Sequence, residues 1–234
     1  MMSNKLIIAL DFSSADEALK FVGRLSPEDC KLKVGFELFV SAGPEMVRKL
    51  INKGFDVFLD LKFHDIPNTV ASVCRAAAKL DVWMMNVHAS GGSEMMLAAS
   101  NALNDFVTPP KLIAVSVLTS MSDLQLQETG VNAVAKDQVK HLASLAKNAG
   151  LDGMVCSAQE ASLLREHLGG DFLLVTPGIR PQGADIGDQS RVMTPADAIR
   201  AGVDYIVVGR PITQSLNPLD TIQQINDEMK SALI

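Results

Sequence analysis

The sequence has few cysteines, and their arrangement excludes two classes of small protein. There are three, Cys30, Cys74 and Cys156, so their number is odd and they lie far apart in the chain. No C-x-x-C pair occurs, which argues against both a disulfide framework and a zinc ribbon. Unpaired thiols are typical of a reducing compartment. We therefore expect a cytoplasmic protein and no metal site.

Long apolar runs and an excess of basic residues are also missing. No stretch approaches the roughly 18 apolar residues that indicate a membrane span. The short apolar segment near the N terminus is interrupted by Asp11 and is too short for a secretion signal. The formal net charge is −6, whereas a nucleic-acid-binding surface is basic. We expect neither a membrane nor a nucleic acid as partner, and an anionic small ligand would need a local cluster of donors.

The chain does contain a regular series of short apolar segments. Aromatic residues make up only 5% of a sequence that is 47% hydrophobic, so the core is predicted to be aliphatic. Each segment has the length and composition of a buried parallel strand. The eight predicted strands are 5–11, 30–37, 56–63, 83–89, 111–119, 153–158, 172–179 and 204–210.

Segments with helical periodicity separate these strands. The first helix has Ser13 or Ser14 as its N-cap, and a later one begins at Thr194 and stops at Gly202. Alternating strands and helices predict a parallel sheet, and eight such units match a (β/α)8 TIM barrel formed by a single domain, residues 1–234. An open doubly wound sheet is the alternative, but it usually has a glycine-rich turn after its first strand, and ALDFSSADEA has none.

Charged residues collect where the predicted strands end, which is the edge that carries the active site in TIM barrels. Asp60 and Lys62 are two positions apart, so both point to the same side of their strand. If these side chains faced outward, their charges would be buried under the helices, which is unfavourable. If they faced inward, they would meet Lys33 and Asp11. Neighbouring carboxylates would keep Lys62 protonated, and a fixed ammonium can donate a proton or stabilise a developing anion. A structural layer of salt bridges has the same pattern and remains an alternative.

The ends of strands seven and eight carry a second set of residues, Arg180, Gly209 and Arg210. In many TIM barrels these two loops bind phosphate. Arginine offers paired donors to phosphate oxygens, and glycine lets the backbone approach a ligand closely. A simple turn beside solvated arginines is the alternative. The connection 181–195 is long for this position and predicts a lid, with a surface loop as the other interpretation.

Several motifs together resemble the orotidine 5′-phosphate decarboxylase family, over essentially the whole chain. They are ALDF around Asp11, KVG around Lys33, the D-x-K-x-x-D-I-P-x-T element at 60–69, and NVHASGG, SVLTS, TPGIRP and VVGRPI. The resemblance implies an enzyme of de novo pyrimidine synthesis. It would act on a small-molecule nucleotide, converting orotidine 5′-monophosphate to uridine 5′-monophosphate without a cofactor or a metal.

The resemblance also implies a homodimer with shared active sites and a role for each site residue. Lys62 would protonate C6 of the pyrimidine, and Asp60 would lie beside the substrate carboxylate. Asp65 and Thr69 would reach into the site of the other subunit. The remaining contacts would come from Asp11 and Lys33 at the ribose, Thr119 and Gln189 around the base, and Gln189, Arg180, Gly209 and Arg210 at the phosphate.

Two other functions fit parts of the pattern. Relatives with the same barrel and the same D-x-K-x-x-D core handle sugar-phosphate enediolates with magnesium. They resemble one another in having a metal-binding glutamate on strand two, where this sequence has Lys33. A non-catalytic phosphate binder would keep Arg180 and Arg210 but would not require the charges at positions 60, 62 and 65.

Overall fold

The computed structural model of the chain describes residues 4–181 and 193–232. Eight parallel strands within these ranges pair in chain order, and the first also pairs with the last, so the sheet closes into a barrel. The predicted (β/α)8 TIM barrel is confirmed. The strands are β1 (Leu6–Ala9), β2 (Lys31–Val34), β3 (Val57–Phe63), β4 (Met84–His88), β5 (Lys111–Val115), β6 (Gly153–Val155), β7 (Leu173–Thr176) and β8 (Tyr205–Val208).

All eight strands lie inside segments predicted from the sequence, but most end earlier than the apolar pattern does. β5 stops at Val115 although the apolar pattern continues to residue 119, and β6 stops at Val155 rather than 158. Residues beyond these points no longer pair with the neighbouring strands, and they form the C-terminal rim of the barrel. This rim is therefore built partly from side chains that look strand-like in the sequence.

Helices cover the outside of the barrel. None of those in the described ranges has the length and apolarity needed to cross a membrane. They are α1 (Ala15–Val22), α2 (Phe36–Asn52), α3 (Pro67–Ala78), α4 (Gly92–Asn101), α5 (Asp123–Glu128), α6 (Ala135–Asn148), α7 (Ala158–Leu168), α8 (Pro195–Arg200), α9 (Arg210–Thr213) and α10 (Pro218–Ser231), with a 3₁₀ turn at Ala89–Gly91.

Side-chain caps fix where these helices begin. The hydroxyl of Ser14 accepts a hydrogen bond from the Glu17 N–H at 3.2 Å, so Ser14 rather than Ser13 is the N-cap of α1. Thr194 caps α8 in the same way, with the Asp197 N–H as donor. Each cap satisfies a backbone N–H that has no partner within its helix. At the other end of α8, Gly202 adopts a φ of 94°, a conformation that glycine takes without strain.

Apolar side chains fill the barrel and close its N-terminal end. A small cluster that includes Phe58 and Val207 lies inside, and a larger cluster separates the strands from the helices. At the N-terminal end, Trp83 packs edge-on against Tyr205 with ring centroids 5.0 Å apart, and Lys31 Nζ lies 4.6 Å from the Trp83 ring. These residues plug the barrel, so the C-terminal end is the open one.

Candidate active site

A cavity of about 360 Å³ opens at the carboxyl ends of the strands. Its base is apolar and includes Phe58 and Val207, while its walls are polar. Such a pocket, mostly apolar with a few converging polar groups, is typical of a small-molecule site. Eight of the predicted site residues line it: Asp11, Lys33, Asp60, Lys62, Thr119, Arg180, Gly209 and Arg210.

Four of these side chains form a cluster of alternating charge on one wall. The Asp60 carboxylate lies at its centre, with Oδ1 accepting a hydrogen bond from Lys62 Nζ at 2.7 Å and Oδ2 lying 3.1 Å from Lys33 Nζ. Lys33 Nζ also lies 3.5 Å from Asp11 Oδ1. The sequence-based expectation that Asp60 and Lys62 face the barrel mouth together with Lys33 and Asp11 is therefore met by the geometry.

Lys33 and Asp60 hold each other ionised. Burial alone would lower the pKa of Lys33, but attraction to Asp60 and Asp11 outweighs burial, and the net result is a raised pKa. Burial would likewise raise the pKa of Asp60, yet Lys33, Lys62 and a hydrogen bond from Asn86 lower it below its ordinary value. At neutral pH the wall therefore presents fixed ammonium and carboxylate groups.

The backbone at Lys62 has an unusual conformation. Its φ is 45°, in the left-handed region that residues other than glycine seldom adopt. The pairing of β3 with β4 shifts register between Leu59 and Phe63, so Lys62 lies in an irregular part of the strand. Its N–H donates a hydrogen bond to Asn86 Oδ1 at 2.8 Å.

Arg180, Gly209 and Arg210 form another part of the cavity wall. Arg180 follows β7 and is largely buried, and its guanidinium donates to the Ile179 carbonyl at 3.0 Å. Gly209 lies beside Asp11, and a Cβ at position 209 would come within 3.4 Å of Asp11 Oδ2. At this distance a Cβ would make an ordinary van der Waals contact, so Gly209 brings the backbone close to the cavity without being required by a clash.

Three predicted site residues lie outside this cavity or outside the described ranges. Asp65 is exposed, and one of its carboxylate oxygens accepts a hydrogen bond from the Ile66 N–H. Thr69 is exposed in the first turn of α3. Gln189, and with it most of the proposed lid 181–195, falls outside the residues that the structure describes.

Sequence reasoning gave no role to two residues that contact the charge cluster. Asn86 is assigned no role in the sequence analysis, yet its side chain bonds both Asp60 and Lys62. Phe36, at the start of α2, has its ring 5.1 Å from Lys62 Nζ. An amide inside an otherwise apolar strand was the available signal for Asn86, because a buried polar group needs partners. No comparable signal marked Phe36.

Comparisons with known proteins identify relatives over nearly the whole chain. Residues 4–225 match the family model described as "Orotidine 5'-phosphate decarboxylase / HUMPS family". The chain is 59% identical to the orotidine 5′-phosphate decarboxylase of Pseudoalteromonas atlantica, over 97% of this chain and 98% of that one. It is 55% identical to the protein of that name from Aliivibrio fischeri, over 100% of both chains.

Solved structures show the same relationship. The crystal structure of orotidine 5′-phosphate decarboxylase from Lactobacillus acidophilus superimposes with a TM-score of 0.87 at 41% identity, covering 97% of this chain and 99% of that one. An uncharacterised conserved protein from Geobacillus kaustophilus gives a TM-score of 0.83 at 39% identity, covering 96% and 99%. Sequence and fold agree over nearly the full length, and the chain belongs to the orotidine 5′-phosphate decarboxylase / HUMPS family.

Proposed function

We propose that this chain decarboxylates orotidine 5′-monophosphate to uridine 5′-monophosphate, in de novo pyrimidine biosynthesis, without a cofactor. The observation that carries the proposal is the Lys33–Asp60–Lys62 cluster at the mouth of a cavity of about 360 Å³. We also propose a cytoplasmic location, which the three buried, unpaired cysteines support.

In this proposal Lys62 is the proton donor. Loss of CO₂ breaks the bond between the carboxyl carbon and C6 and leaves its electron pair on C6. A proton from the Lys62 ammonium then forms the new C6–H bond. The 2.7 Å hydrogen bond to Asp60 keeps that ammonium inside the cavity. In this proposal Asp60 would lie beside the substrate carboxylate.

Proton donation alone is too small an effect for this reaction. Very slow reactions need a barrier reduction of roughly 20 kcal/mol, whereas general acid catalysis typically supplies about 3–5 kcal/mol. The rest of the reduction is assigned to two other effects. One is a preorganised positive charge at the position where the carbanion forms. The other is binding energy from the remote phosphate, used to hold the reacting group in place.

The other wall residues would bind the nucleotide. Asp11 and Lys33 would contact the ribose hydroxyls, and Thr119 would contact the base. Arg180, Gly209 and Arg210 would hold the 5′-phosphate, together with Gln189 from the proposed lid 181–195. All of these except Gln189 line the cavity, which supports the assignment.

We further propose that the active protein is a homodimer in which Asp65 and Thr69 complete the neighbour's site. Both are exposed and lie beyond the end of β3, just after the charge cluster. Large apolar side chains are exposed on the same side of the barrel: Ile66 is 68% exposed and Phe36 is 53% exposed. In the proposed dimer we expect these two side chains to be covered by the partner subunit.

A magnesium-dependent sugar-phosphate enzyme is the alternative within this fold. The Lys33 ammonium, held 3.1 Å from Asp60, stands against it, because a cation at this position repels a divalent metal. The described residues contain no group of three or more His, Cys, Asp or Glu side chains arranged to hold a metal ion.

The test is an ultraviolet assay of orotidylate loss with purified protein treated with EDTA. We expect full activity after chelation and no increase when Mg²⁺ is added. Activity that disappears with EDTA and returns with Mg²⁺ would favour the enediolate chemistry. A protein that binds nucleotides but turns over no orotidylate would be the non-catalytic binder.

A further inference from the structure

Asn86 is a completely buried amide whose hydrogen bonds go to the two central residues of the charge cluster. It lies in the middle of β4 and has no exposed surface. Its Nδ2 donates to Asp60 Oδ1 at 2.7 Å, and its Oδ1 accepts from the Lys62 N–H at 2.8 Å. One side chain from the neighbouring strand thus bonds a carboxylate and a backbone group that are two residues apart.

The bond to the Lys62 N–H falls where the backbone needs support. A lysine with a φ of 45° is in a region that is unfavourable for residues with a Cβ, and such conformations persist only where the surroundings hold them. The regular β3–β4 pairing is interrupted at this point. The Asn86 carbonyl oxygen therefore stabilises a backbone conformation that the sheet itself does not.

The bond to Asp60 fixes the other half of the cluster. Asp60 Oδ1 receives both Asn86 Nδ2 and Lys62 Nζ, which leaves Oδ2 directed at Lys33. Rotation of this carboxylate would break the bond from Asn86. The amide therefore helps to hold the plane of the Asp60 carboxylate in the orientation that contacts both lysines.

We propose that Asn86 is a positioning residue that holds the backbone of Lys62 and the carboxylate of Asp60 in one fixed arrangement, and so aims the Lys62 ammonium into the cavity. The proposal rests on the proposed function, in which Lys62 donates the proton. It requires a donor and an acceptor on one short side chain. Asparagine provides both, ionised aspartate provides no donor, and alanine provides neither.

The first test is Asn86→Ala, with Thr176→Val as the matched control. Thr176 is also fully buried at the end of a strand, and its hydroxyl lies 3.9 Å from Cys156 Sγ, outside the charge cluster. Because a misplacement of about 1 Å can cost roughly 10²-fold in rate, we expect kcat of Asn86→Ala to fall by about that factor. KM and the affinity for uridine 5′-monophosphate should not change, since the phosphate contacts are intact. The control should keep its kcat.

The second test is Asn86→Asp, measured as a pH profile. Its new carboxylate would face Asp60, with Lys33 from β2, Lys62 from β3 and His88 from β4 around the pair. When the two carboxylates share one proton, an O–H group replaces the lost amide N–H donor. The hydrogen bond to Asp60 then forms again. Activity should therefore be greatest at low pH and should fall as the pH rises, whereas Asn86→Ala should keep a profile of wild-type shape.

A readout that needs no substrate separates this proposal from the proposed function. Amide hydrogen exchange at Lys62 should be faster in folded Asn86→Ala than in the wild type, and unchanged in Thr176→Val. Wild-type protein that fails to turn over orotidylate would reject the function but would leave this exchange test valid. Unchanged Lys62 exchange, or an unchanged kcat in folded Asn86→Ala, would overturn the positioning role.

Discussion

Lys33 and Asp60 form an ion pair of 3.1 Å in which each side chain is only 12% exposed. Asp60 also bonds Lys62, and Lys33 also faces Asp11, so two acids and two bases alternate along the wall. The cluster is neutral as a whole, although every member is charged. In the proposed reaction, a substrate carboxylate entering beside Asp60 would add a negative charge to this wall. CO₂ would leave as a neutral molecule, so that charge would remain on C6 until Lys62 donated its proton.

The role of Lys62 is tested by Lys62→Ala. We expect kcat to fall by more than about 10⁴-fold, because general acid catalysis alone supplies up to that factor and the electrostatic effect is lost as well. Binding of uridine 5′-monophosphate, measured by calorimetry, should persist. Lys31→Ala is the control, because Lys31 lies at the opposite end of the barrel against Trp83 and should leave kcat unchanged. Near-normal turnover in Lys62→Ala would reject the proposed donor.

The role of Arg180 is tested by comparing substrates with and without a phosphate. Hydrogen bonds to charged groups contribute about 1.5–3 kcal/mol, so Arg180→Met should lower kcat/KM for orotidylate by about 10–10²-fold. The same variant should act on orotidine, which has no phosphate, as well as the wild type does. Arg200→Met is the control, because Arg200 is exposed and pairs with Asp197 in its own helix. Equal losses with both substrates would contradict a phosphate contact.

The shared site is tested by mixing two inactive variants. Asp65→Ala and Lys62→Ala each damage one contribution to a site that two subunits would build. After subunit exchange, heterodimers should contain one site with both residues intact, and activity should recover in part. Exchange is checked by mass spectrometry of differently labelled chains. No recovery despite complete exchange would show that each chain builds its site alone.

The ionised state of Asp60 predicts how acid affects stability. Its pKa is lowered below the ordinary 3.8 in the folded chain, so the unfolded chain takes up a proton at higher pH. The corresponding stabilisation is complete above pH 3.8 and is lost as the pH falls from there through the folded-state pKa. Urea unfolding at pH 6 and pH 3 should show a larger loss of free energy of unfolding for the wild type than for Asp60→Asn. Equal losses would contradict the lowered pKa.

The barrel could be predicted because the sequence repeats one simple pattern eight times. Buried parallel strands need continuous apolar runs, and the segments around Ile7, Met85 and Val207 show them clearly. The exact strand ends could not be predicted, because they depend on where a neighbouring strand stops pairing. Val115 is an example: the apolar residues that follow it lie on the rim and not in the sheet.

The site could be predicted only as far as residue types and strand ends reveal it. Charges at strand ends pointed to Lys33, Asp60 and Lys62, and the structure brings them together. The left-handed backbone of Lys62 has no local signal, because lysine does not favour it. The Lys62 N–H donates a hydrogen bond to Asn86, which lies 24 residues further along the chain and cannot be connected with Lys62 by local sequence.

The seam between the first and the last strand has a consequence for how the protein is made. Leu6 pairs with Ile206, and Asp11 lies beside Gly209, so the two ends of the chain must meet to finish the cavity wall. Contacts between distant positions slow folding, and chains emerge from the ribosome N-terminal end first. A nascent chain whose β8 is still inside the ribosome cannot form the β1–β8 pairing. The ability to bind a ligand therefore arises only when the last strand has emerged.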